Sequence, residues 1–168
     1  MSITPMSIRA IAHSTVLLLA LSLNVAWAQS FEEGVAAYNG GDYQTAYEVF
    51  QALAEGGNAG AQFNLGFMYG KGDGVPQDFS QAARWYRAAA EQGIARAQFN
   101  LGLMYGKGDG VLQDNIAAHM WLNIASANGH QKAREVRSGM ADLMSRDAIA
   151  EAQSRARTCM ESNYQNCN

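Results

Sequence analysis

The sequence predicts an all-α protein: a right-handed α-solenoid of stacked antiparallel helical hairpins, closed by a C-terminal helical cap. Two observations carry that expectation. The chain spells FNLGFMYGKGDGVPQD at 63–78 and FNLGLMYGKGDGVLQD at 99–114, nearly the same stretch displaced by 36 residues. Within and after each copy, apolar residues recur at the i, i+4, i+7 spacing that lines one face of a helix. Similarity at such a period marks a repeat architecture, in which a hairpin too small to bury its own apolar face stacks on its neighbours.

Taken in order, residues 1–28 stand apart from the fold. Arg9 is the only formal charge in 1–14, the apolar run TVLLLALSLNVAW fills 15–27, and Ala26-Trp27-Ala28 supplies a small-x-small site. That order is the pattern of a secretory signal peptide cleaved after Ala28. The run is too short to cross a bilayer, which takes about 20 apolar residues. No cysteine follows the cleavage site, so no stable membrane anchor is expected and the mature chain is expected to be soluble and exported.

Residues 29–60 form a degenerate first hairpin. Asp42, Ala46, Glu55 and Gly57 fall on Asp78, Ala82, Glu91 and Gly93 of the next unit, but the loop before Asp42 is four residues shorter. Residues 61–96 make a full unit. AQFNLGFMY sets Ala61, Leu65 and Met68 or Tyr69 on one stripe; SQAARWYRAAAEQG sets Ala82, Trp85, Tyr86, Ala89 and Ala90 on another. Asp78 stands where an N-cap belongs and Gly93 where a left-handed C-terminal stop belongs. Residues 97–132 repeat the unit with Ala97, Leu101, Tyr105, Asp114, Ala118, Trp121 and Gly129. Residues 133–168 read as two more highly charged helices, as a terminal cap of a solenoid should be.

The loop GKGDGV is read as architecture, its glycines supplying positive φ and a tight reversal. A phosphate cradle would need a preceding strand and a Ser or Thr after the lysine, whereas Lys71 is followed by Gly72. A calcium loop would need acids at alternate positions, and only Asp73 precedes Gly74 here. Cys159 and Cys167, the only cysteines, are expected to form a structural disulfide in an exported chain. On the chain-entropy account such a short loop gains about 2–3 kcal/mol.

The net charge of −3 becomes −4 once Arg9 is removed, which argues against nucleic-acid binding. Charge is unevenly spread: 31–60 holds Glu32, Glu33, Asp42, Glu48 and Glu55 without a lysine or arginine, while 132–157 holds six basic residues against four acids. Catalytic groups are sparse. His119 and His130 are expected at the surface, no HExxH, GxSxG or clustered His/Cys pattern occurs, and neither a metal site nor a cofactor is expected.

Aligned, the unit A-Q-F-N-L-G-x-M-Y-G-K-G-D-G-V-x-Q-D-x-x-x-A-x-x-W-x-x-A-A-x-x-G resembles the Sel1-like repeat, a relative of the tetratricopeptide repeat. The first hairpin is similar to a plain tetratricopeptide hairpin, and the C-terminal segment to the end of exported Sel1-type proteins. The resemblance implies a non-catalytic adaptor in the periplasm of a Gram-negative bacterium, holding a protein or peptide partner on its concave face, with its oligomeric state left open. In such an architecture Gln62, Asn64, Phe67, Lys71, Gln98, Asn100, Leu103 and Lys107 would line that face. One alternative is a carbohydrate- or peptidoglycan-binding module, against which Trp85 and Trp121 fall at repeat-core positions. A second is the penicillin-binding and hydrolysing activity of a cysteine-rich branch. This chain has no repeat cysteines and no Ser followed three positions later by Lys.

Overall fold

The computed structural model describes residues 30–167, and the expected signal peptide at 1–28 lies outside them. The described residues are helical throughout, with no strand. Helix α1 covers 30–39, followed by α2 (Tyr43–Glu55), α3 (Ala59–Lys71), α4 (Phe79–Ala90), α5 (Ala95–Lys107), α6 (Asn115–Ala127), α7 (Gln131–Ala141) and α8 (Arg146–Glu161).

Local chemistry sets the helix ends. The side chains of Asp42, Asn58, Asp78, Asp114 and Ser145 each accept a backbone N–H of the first turn, filling donors that no helical carbonyl can reach. At the other end, α3 and α5 stop at Gly72 and Gly108, left-handed residues whose N–H groups bond back to the Met68 and Met104 carbonyls.

Consecutive helices from α2 to α7 pack on one another as antiparallel neighbours, which is the expected solenoid. One core joins Phe50 and Leu53 of α2 to Leu65 and Met68 of α3. A larger one joins Tyr86 of α4, Leu101 and Met104 of α5 and Met120, Trp121 and Ile124 of α6. Helices within a unit approach closely because small residues face large ones. A Cβ on Gly66 would fall 2.9 Å from the Tyr86 ring, and one on Gly102 would fall 3.0 Å from Leu122.

Helix α8 departs from the pattern. It packs across α6 rather than α7, and inserts Ala152, Ala156 and Cys159 into the larger core. Cys159 is joined to Cys167 by a disulfide, Cα atoms 4.5 Å apart. The loop so closed sets Tyr164 against Gly93 and lets its hydroxyl hydrogen-bond with the Asn128 amide.

The GKGDG loop reaches back to the preceding unit. A Cβ on Gly74 would lie 2.7 Å from the Tyr43 carbonyl oxygen at the start of α2, and Gly110 sits directly on the Phe79 carbonyl at the start of α4. With φ of 75° and 68° as well, only glycine fits there.

One sequence expectation is overturned here. His119 is buried, not on the surface, because α6 is covered by α5, α7 and α8 on different sides and keeps no wide polar face. His130 is half-buried and stacks on Phe99 at 4.1 Å between ring centroids. Trp121 is buried as a core residue, whereas Trp85 is only half-buried, with the Arg84 guanidinium 5.4 Å from its ring.

Candidate functional site

Between successive first helices of the hairpins lie two clefts related by the repeat. The smaller, about 100 Å³, is bounded by Val35, Tyr38 and Asn39 of α1, Phe50 of α2, and Asn64 and Phe67 of α3. The larger, about 210 Å³, lies one unit further on. There Tyr86 takes the place of Phe50, Asn100 that of Asn64, and Leu103 that of Phe67. Phe67 belongs to both, forming the wall they share.

The floor of the larger cleft is apolar, with Phe67, Phe79, Leu103 and Met104 facing in and Lys71, Lys107 and Asp109 at the rim. The Lys71 ammonium lies 5.8 Å from the Phe67 ring centroid, a cation–π distance that holds the charge beside the groove. Burial pushes the Tyr86 hydroxyl up to about 12, opposed by a hydrogen bond with the Asn100 side chain. Phe50 offers no hydroxyl in the smaller cleft, and the Asn64 amide makes no hydrogen bond among the described residues. An amide in that state can both donate to and accept from a bound peptide backbone.

The structure therefore brings six of the eight candidate residues together: Phe67, Lys71, Asn100, Leu103 and Lys107 in the larger cleft, Asn64 and Phe67 in the smaller. It removes the other two. Gln62 and Gln98 are buried, and each Nε2 donates to the last turn of the preceding helix, at the Ala54 and Ala90 carbonyls. Their Oε1 atoms accept from Gln92 and Asn128, at 2.7 and 2.9 Å. They form an internal amide ladder between units and are closed to a partner. The reason is geometric: each follows the buried Ala61 or Ala97 by one position and turns toward the unit before it, so a polar letter off the apolar stripe is not thereby a surface letter.

Tyr86, Phe79, Met104 and Asp109 line the larger cleft without having been singled out from the sequence. Their signal was faint. Asp109 lay inside a loop read as pure architecture, and Tyr86 was assigned to the core, where it also belongs. Among the described residues no group of three or more His, Cys, Asp or Glu could hold a metal ion. No helix among them is long and apolar enough to cross a membrane.

Comparison with known proteins fits this geometry. A family model described as the Sel1 repeat matches residues 59–94 and 95–130. A solved protective antigen of uropathogenic Escherichia coli strains, displaying an SLR fold, is 30% identical with a TM-score of 0.77, over 82% of this chain and 31% of that one. A Sel1 repeat protein from Oxalobacter formigenes is 38% identical with a TM-score of 0.58, over 62% of this chain and 41% of that one. The chain thus spans less than half the length of either. No curated protein matches it.

Proposed function

This chain is a Sel1-like repeat protein, and on that premise we propose that it is a non-catalytic scaffold holding an extended segment of a partner protein along its concave face. The observation that carries the reading is the pair of clefts in repeat register, lined by the same positions of successive units. An extended peptide presents side chains at a regular rise, and a stacked array presents pockets at a regular rise, so the two match without a long specific sequence. Asn64 would hold the peptide backbone; Phe67 and Leu103 would take apolar side chains; Lys71 and Lys107 would favour acidic neighbours. We place this activity in the periplasm of a Gram-negative bacterium, supported by the leader-like pattern of 1–28 and by cysteines joined in a disulfide. The penicillin-hydrolysing alternative has no support in repeat cysteines or a Ser-x-x-Lys pattern.

Affinity capture from periplasmic and membrane extracts tests the proposal. The parent chain is compared with Leu103→Glu, which puts a charge in the apolar floor of the larger cleft at a residue outside the buried cores. A protein retained by the parent and lost by a folded Leu103→Glu supports the groove. Equal capture by both moves the site elsewhere, and capture by neither abandons the scaffold reading.

A further inference from the structure

The two clefts differ in size for one reason. Gly34 meets Phe50 as Gly66 meets Tyr86, so α1 and α3 superpose position by position, and Gly70 holds in α3 the place that Tyr38 holds in α1. The Tyr38 ring packs on Tyr43 at 5.1 Å and on Phe67 at 6.1 Å, and its hydroxyl donates to Asp73 at 2.6 Å. One unit on, the counterparts of those three partners are Phe79, Leu103 and Asp109, and all three line the larger cleft. Everything that receives a tyrosine in the first unit is present in the second except the tyrosine.

Gly70 leaves the room open: a Cβ there would meet only the Ala82 Cβ, at 3.7 Å. At the third such junction the room is filled from within, because Met140 of α7 reaches the face of Gly106. The Asp109 carboxylate, unlike that of Asp73, makes no hydrogen bond or ion pair among the described residues; only its backbone N–H is bonded, to the Met104 carbonyl.

We propose that the larger cleft is the receptor for a tyrosine side chain presented by the partner's segment, its ring between Phe79 and Leu103 and its hydroxyl donating to Asp109. This rests on the groove reading above. A phenylalanine would fill the floor but leave the carboxylate unpaired, and a lysine or arginine would meet Lys71 and Lys107. A second copy of this chain is a poor donor, since its seven tyrosines are all engaged: Tyr38 with Asp73, Tyr43 with Tyr38, Tyr47 with Tyr69, Tyr86 with Asn100, Tyr105 with Arg87, and Tyr164 with Asn128.

The test is an NMR titration of the protein with the capped peptide Gly-Ser-Tyr-Ser-Gly, its Phe counterpart, and free p-cresol. The Tyr peptide should shift Gly70, Leu103 and Asp109 and bind about tenfold more tightly than the Phe peptide, as a hydrogen bond to a charged acceptor implies. Asp109→Ala should erase that difference. Gly70→Tyr should abolish binding of both peptides while raising the melting temperature, because it rebuilds the Tyr38 arrangement; Leu103→Glu blocks the cleft from the opposite wall should Gly70→Tyr not fold. Equal binding of the two peptides overturns the tyrosine assignment but leaves the groove reading intact. So does silence from both peptides while partner capture still depends on Leu103. Binding of p-cresol alone overturns a protein source for the phenol. Silence from all three, with no partner captured, overturns both readings.

Discussion

Single residues at this solenoid's interior are polar for structural reasons. Gln98 is fully buried and joins the Ala90 carbonyl to Asn128, which in turn reaches Tyr164 of the C-terminal loop. Gln98→Ala removes two hydrogen bonds and empties a fully buried site, and should cost about 1–3 kcal/mol in urea denaturation. Gln113→Ala, whose amide bonds the Gly106 carbonyl at an exposed site, should cost far less. His119 gives a pH signature. Burial first, and the nearby Arg137 second, hold its pKa below 6.5, and burial does the same for His130. Both are then neutral in the folded chain and protonate more readily once unfolded. Stability should be independent of these groups above pH 6.5, and should fall as pH drops below it until the depressed folded pKa is passed. Melting temperatures between pH 7.5 and 5.5 should show that slope, and His119→Ala, which restores the alanine found at position 83, should flatten it.

The informative element is the GKGDG loop. Its repetition at 70–74 and 106–110 was legible in the sequence, and so was the positive φ its glycines supply. Hidden was the direction in which it works. Gly110 lies on the Phe79 carbonyl of the previous unit, so the loop clasps one hairpin to the last as well as joining two helices. Gly110→Ala combines a left-handed φ with backbone overlap and should destabilise by more than about 2 kcal/mol. Gly129→Ala, with a similar φ but open space around its Cβ, should cost about 1 kcal/mol. Comparing the two by chemical denaturation separates strain from collision. The helix caps were equally legible: Asp78 and Asp114 stand where the apolar stripe begins and make the bonds that position implies.

At the scale of the molecule, α8 and its disulfide decide how the array ends. The helix lies on α6, and the loop after it is tied to Asn128 and Gly93 of earlier units. Reduction of the Cys159–Cys167 bond should lower stability by about 2–3 kcal/mol, read as a shift in the urea midpoint. Hydrogen exchange should show protection lost first in α8, with α2, whose buried residues belong to a separate core, unaffected. Repeat arrays are stabilised by nearest neighbours, so damage at one end is felt there.

What the sequence by itself determined is what is local and periodic: the helices, their caps, the stacking unit, the cysteine pair and six of the eight residues expected on the concave face. These follow from spacing along one chain. Which polar letters face inward, as with Gln62, Gln98 and His119, was decided only by the tertiary structure, because burial there is imposed by helices distant in sequence. So was the open cleft at Gly70. It exists through the neighbours that surround a missing side chain, and a single residue does not specify what another unit places opposite it.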